Sequence, residues 1–153
     1  MRRILDTDAG ALWLARATRP YAFVSPTDGQ EFALLLVVAD ADVTNEEQMS
    51  LSEQFVRAGC RNAVCFGPTS TTWDDSIDWV TVLGEIDGRE EPFVMTSWFD
   101  HEPLNDAVFF FAKLTGFDDW VPEQFVAFVL GGDEALEREV ERALLEHFVP
   151  PPT

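Results

Sequence analysis

Two carboxylates, Asp40 and Asp42, follow directly on a run of aliphatic residues and Phe that begins at Phe32, and a histidine, His101, stands between Asp100 and Glu102 after a second apolar stretch. A carboxylate pair at a strand end can serve as nucleophile and general acid/base beside a divalent cation, while an imidazole between acids can move a proton or contribute one metal ligand. The hydroxyls of Thr69 and Ser70 and the indoles of Trp73 and Trp98 fall at neighbouring element ends. These nine residues (Asp40, Asp42, Thr69, Ser70, Trp73, Trp98, Asp100, His101 and Glu102) form the candidate binding crevice. An architectural reading competes with the chemical one. Acids at helix starts answer free N–H groups and the positive end of the helix dipole, which covers Asp74, Asp75, Glu102, Asp133 and Glu134. Asp40 and Asp42 are less well covered, because Thr44 already supplies a cap.

Other chemistries lack their signatures. No G-x-G-x-x-G or Walker pattern follows any expected strand, and Gly131-Gly132-Asp133 is too short and too acidic to cradle a diphosphate. No G-x-S-x-G occurs, and Cys60 and Cys65 match no zinc or redox spacing, so both are expected as small buried apolar groups in a reducing compartment. The set is short of a complete catalytic constellation, and no catalytic residue is nominated.

The elements that must position these residues alternate regularly. Phe32 onward reads as a strand buried on both faces, the mark of a central strand in a parallel sheet. Thr44 with Glu47 makes a capping box for a helix that carries Leu51, Phe55 and Ala58 and stops at Gly59. Ala63 to Phe66 is a second strand, ended by Gly67-Pro68, after which Thr69 to Thr72 offer capping hydroxyls to a helix with Trp73, Ile77, Val80 and Gly84 on one face. Phe93 to Trp98 is a third strand, and Pro103 opens a helix running through Val108 and Phe111 until Gly116 stops it. Phe125 to Leu130 is the fourth, and Asp133 caps a last helix with Leu136, Val140, Ala143, Leu144 and Phe148 inward.

This pattern predicts a three-layer α/β sandwich: a mainly parallel four-stranded sheet, helices on both faces, and a flavodoxin-like strand order of 2-1-3-4. The crevice then lies between the first and third strands. Residues 1–31 are expected as an extension holding a helix over residues 4–18, with Leu5, Ala9, Leu12 and Trp13 on one side, and a short strand from Tyr21 to Ser25. Residues 32–149 form the α/β domain and residues 150–153 a tail.

Composition narrows the partners. The formal charge is -18, and residues 1–32 hold four arginines and four acids, so the entire excess belongs to the α/β body. Such a surface repels nucleic acids and anionic membranes and attracts basic proteins. No segment has the order of a signal peptide or the roughly 20 apolar residues needed to cross a bilayer, so a cytoplasmic protein is expected. With Trp73, Trp79, Trp98 and Trp120 all in or beside helices and loops, some indoles must be exposed, as anchors of a docking surface would be.

The stretch Asp40-Ala41-Asp42-Val43-Thr44 after an apolar strand resembles the first motif of the haloacid-dehalogenase-like phosphohydrolases. That resemblance implies Asp40 as nucleophile and Asp42 as acid/base beside magnesium, followed by Thr96 or Ser97, Lys113, and Asp133 with Glu137. Separately, C-R-N-A-V-C-F-G-P, T-x-W-D-D, P-F-V-M-T-S-W and V-L-G-G-D-E-A-L, spanning Phe32 to Leu144, look like an uncharacterised bacterial domain-of-unknown-function family, which implies a Rossmann-like α/β protein and brings no activity. The leading expectation is a non-enzymatic, acidic protein-binding module without a cofactor, comparable to an immunity or antitoxin protein or a subunit of a bacterial complex. The alternative is a magnesium-dependent phosphohydrolase-like or small-ligand site using Asp40 and Asp42.

Overall fold

The structure, a computed structural model, describes residues 1–8, 10–88 and 92–149. Its strands are β1 (Arg2–Thr7), β2 (Gly10–Ala17), β3 (Phe32–Val38), β4 (Cys60–Phe66), β5 (Met95–Phe99) and β6 (Gln124–Leu130). Its helices are α1 (Asn45–Ala58), α2 (Ser70–Ile86), α3 (Leu104–Lys113) and α4 (Glu134–Phe148). All six strands form one sheet in the order β1-β2-β6-β3-β4-β5, parallel throughout except for the antiparallel β1–β2 pair.

β3 is buried along its whole length, as a strand apolar on both faces demands. Phe32, Leu34, Leu36 and Val38 enter one core with Leu51 and Phe55 of α1 and Trp73, Ile77 and Val80 of α2. Ala33, Leu35 and Val37 enter the other, with Val108 and Phe111 of α3 and Val140 and Leu144 of α4. The strand's two-residue period thus divides one sequence between two helix pairs. The chain moves outward from β3 to β4 to β5 with α1 and α2 on one face, then returns through α3 to β6 on the other side of β3.

Three expectations are corrected. The four core strands stand in the order fourth-first-second-third, not 2-1-3-4, so the first and third strands are separated by the second and no crevice lies between them. The segment expected as a helix over residues 4–18 is the hairpin β1–β2, and β2 extends the parallel sheet beside β6, so the sheet has six strands where four were expected. Leu12 and Leu14 point into one core while Trp13 and Ala15 pack on the other, a period of two that apolar residues on both faces disguise. Ala9, counted in that helix, and the tail beyond residue 149 lie outside the described residues. Tyr21 to Ser25, expected as a short strand, joins no strand among the described residues.

Local signals are otherwise realised. Thr44 and Glu47 form both halves of the capping box, Gly59 closes α1 at φ +115°, and Asp133 caps α4 by accepting from the Leu136 N–H at 2.9 Å. Pro103 is the residue before α3 rather than its first, and α3 ends at Lys113, ahead of Gly116. The hydroxyl of Thr69 does not cap α2, and Asp74 and Asp75 fall beyond its first turn.

Phe55 illustrates how the core is held. It is fully buried and meets Phe23 edge-on at 5.0 Å between ring centroids and Phe128 at 5.9 Å. Edge-to-face rings of this kind add to the burial itself. Phe55→Ala is expected to cost about 3–5 kcal/mol, read as a lower urea midpoint at unchanged slope.

Candidate functional site

Because β2, β6, β3, β4 and β5 run in one direction, their C-terminal ends share a rim, and a ligand crevice would open where the crossovers change face, between β3 and β6. That point is sewn shut. The N–H groups of Ala39 and Asp40 both donate to the carbonyl of Leu130, at 2.9 and 3.1 Å, and the Gly131 N–H donates to the carbonyl of Ala17 at 2.8 Å. Gly131 sits at φ +79°, and a Cβ there would lie 1.9 Å from an oxygen of Asp40. The carboxylate of Asp40 therefore fills the space a crevice would need.

Its neighbours explain why it is held there. The Tyr21 hydroxyl donates to Asp40 Oδ2, and the Arg19 guanidinium lies 5.1 Å from the Tyr21 ring centroid. Arg19 donates to Glu47 at 2.9 Å through Nε, to Asp42 Oδ1 at 3.2 Å through Nη1 and to the Asp42 carbonyl at 2.8 Å through Nη2. Glu47 in turn accepts from the Thr44 N–H at 3.0 Å, so one side chain closes the capping box and anchors the segment before β3. Burial, and then the bond to Asp40, hold the Tyr21 phenol above its usual range. The bond to Arg19, followed by that to the Thr44 backbone, lowers the Glu47 carboxyl to about 2.

A magnesium ion does not fit this arrangement. Asp42 is committed to Arg19, Asp40 accepts from a phenol, and the cation already beside them is a guanidinium. Lys113 lies at the other end of the sheet, lining a pocket of about 520 Å³ with Gly10 and Phe125, at the starts of β2 and β6. Among the described residues no three His, Cys, Asp or Glu side chains converge as a metal would require.

The remaining expected site residues do not gather around Asp40. Trp73 and Ser70 are fully buried beneath α2, where the Trp73 indole belongs to the core. His101, its side chain 90% exposed, has its imidazole 3.6 Å from Asp100, and its backbone N–H donates to Glu102. These three follow β5, two strand spacings or about 10 Å along the rim from β3. Thr69 is the residue before α2, and Trp98 is half exposed on the edge strand. Burial pushes the thiol of Cys60 up to about 12, and that of Cys65 likewise upward, so neither is a ready nucleophile.

Missing from the sequence reading were Arg19, Tyr21 and Gly131 on the rim and, at the sheet edge, Val82, Phe93 and Met95. The edge set is the more conspicuous. Trp79, Val82 and Ile86 of α2, with Phe93, Met95 and Trp98 at β5, are all exposed. Residues 67–106, which contain them, hold ten carboxylates and one arginine. Among the described residues no arginine or lysine forms an ion pair with Asp74, Asp75 or Asp78, whereas Arg2, Arg3, Arg19, Arg57, Arg61 and Arg138 each meet a carboxylate elsewhere. Residues 67–106 thus carry nine of the eighteen excess negative charges, and Asp74, Asp75 and Asp78 of α2 meet no cationic side chain among the described residues.

Fold and rim together define a three-layer α/β protein whose largely parallel sheet is closed at its switch point by its own side chains. Residues 13–147 match the model of a family described as a domain of unknown function (DUF7684), and the chain belongs to that family. No curated protein and no solved structure matches it. Among the described residues no helix is long and apolar enough to cross a membrane.

Two outcomes follow from the rim. Gly131→Ala is expected to destabilise the fold by more than the roughly 1–2 kcal/mol of left-handed strain alone, and pairing it with Asp40→Ala should recover the excess in a double-mutant cycle. Glu47 has its folded pKa depressed, so its contribution is complete above its unfolded value of 4.5 and is lost as pH falls toward about 2. Stability of Glu47→Gln, followed by urea melts between those limits, should fall less steeply with acid than that of the parent.

Proposed function

We propose that this chain is an acidic protein-binding module of the cytoplasm, comparable to an immunity or antitoxin protein or a subunit of a bacterial complex, and that its partner is basic. One observation carries the reading: the uncompensated carboxylates and six large exposed apolar side chains occupy the same part of the fold, α2 and β5. A surface kept acidic only for solubility has no need of bare tryptophans. Aromatic anchors surrounded by one sign of charge supply both parts of a docking surface, contact energy from the rings and orientation from the field. The cluster at Asp40 favours the same view, since its acids serve Arg19 and Tyr21 and hold the segment before β3 in place.

The test is retention from a lysate on the immobilised chain, compared with Asp74→Asn/Asp75→Asn/Asp78→Asn and with an unrelated protein of equal net charge. A basic protein held by the parent, at least ten-fold depleted on the triple variant and released by raised salt, is the expected result. Retention no greater than on the equally acidic control would sink the proposal.

A further inference from the structure

We infer that the outer edge of β5 accepts an extended segment of the partner as a seventh strand, with basic side chains on the α2 side of the sheet and apolar ones on the α3 side. The inference rests on the reading above and names its mode of binding. β5 ends the sheet order, so one row of its backbone N–H and C=O groups has no strand beside it among the described residues. An open row of this kind is a template for another chain, and proteins that do not use it normally guard it with charge, proline or a bulge. Here the guard is missing: Met-Thr-Ser-Trp-Phe has neither charge nor proline, and its pairing with β4 runs in unbroken register.

The two sides of that edge ask for different chemistry. Asp74, Asp78 and Glu85 share one side of α2 by helical spacing, and that side faces β5, because Asp78 and Thr96 line the same groove between the two elements. A groove of about 310 Å³ separates the two elements, lined by Asp78, Thr81, Val82, Phe93, Val94 and Thr96 among others. Loss of water, and then the nearness of Asp74 and Asp75, hold the Asp78 carboxyl above its ordinary range, so a cation arriving in the groove relieves a repulsion already present. Trp98, half exposed and on the same side as Thr96, offers a ring face to a guanidinium. On the opposite side Met95 is exposed and Phe99 packs on Phe110 at 5.6 Å, which suits an apolar side chain. Alternation of basic and apolar residues is therefore the pattern an incoming strand must carry.

A second copy of this chain is the poorer occupant. Pairing β5 with β5 would set two uncompensated acidic helices against each other across the new strand pair, and like charges placed opposite one another oppose association. At the foot of the strand, the nearby Arg61 is already engaged with Glu31 and the Phe93 carbonyl, so it does not offset this.

The experiment is selection of random 12-residue peptides displayed on phage against the full chain. The best sequences are then synthesised and N-methylated at one alternate set of backbone amides or at the other. Enriched peptides with basic and apolar residues at a period of two are expected. Their binding should shift backbone amide resonances of residues 94–99 and 74–85, and N-methylation of one alternate set should weaken affinity at least ten-fold while the other set changes it less than two-fold. Basic peptides that tolerate methylation of both sets, or that map away from β5, would overturn strand addition and leave the basic-partner reading standing. Failure to enrich any basic sequence would remove both. A stable dimer of the free chain that the enriched peptides dissociate would assign the edge to a second copy and overturn the heterologous strand.

Discussion

The whole architecture depends on one requirement: β3 has no polar face, so both of its sides must be covered. A strand with one polar side could lie at a surface under a single helical layer. Seven consecutive buried residues in the middle of the sheet cannot. Helices must therefore lie above and below, and a chain that winds outward with its crossovers on one side has to change direction to supply the other layer. The return through α3 to β6 is that change. It places β6 against β3 and leaves β5 at the margin, so an open sheet edge follows indirectly from the most buried strand.

The change of direction also creates the gap in which α/β proteins commonly hold ligands, and this chain closes it from within. Arg19 and Tyr21 arrive from the segment between β2 and β3, Glu47 from the first turn of α1, and Gly131 from the turn after β6. Backbone bonds to Leu130 complete the closure. Each part serves stability, and together they explain why two aspartates at a strand end need not be catalytic. Asp74, Asp75 and Asp78 of α2, by contrast, meet no arginine or lysine among the described residues.

Much of the fold was legible because its signals are local. The Thr44/Glu47 box, the left-handed stop at Gly59, the Asp133 cap and the stripe of Trp73, Ile77, Val80 and Gly84 each depend on residues within a few turns, and each is found as read. The hairpin β1–β2 was misread because its second strand is apolar on both faces, which erases the alternation that separates a strand from a helix. Strand order was not legible, since nothing in β3 or β6 alone says which will be neighbours. The candidate site suffered most: it was assembled from the tips of particular strands, and a different order scattered it. Arg19 and Tyr21 could not have been paired with Asp40 from spacing alone, as the contact spans some twenty positions of irregular chain.

The two margins of the sheet are defended unequally. β1 bears Arg2, Arg3 and Asp6 and breaks its register with a bulge between Arg3 and Leu5, features that discourage further pairing. At the opposite margin the protection found among the described residues is long-range repulsion from carboxylates that lie beside the strand rather than on it. That protection is ionic and fades as electrolyte shortens the reach of charge, so colloidal behaviour is set by the medium at one margin and by sequence at the other. Concentrated salt screens that repulsion, so this margin loses its ionic guard in the medium where the opposite margin keeps its own.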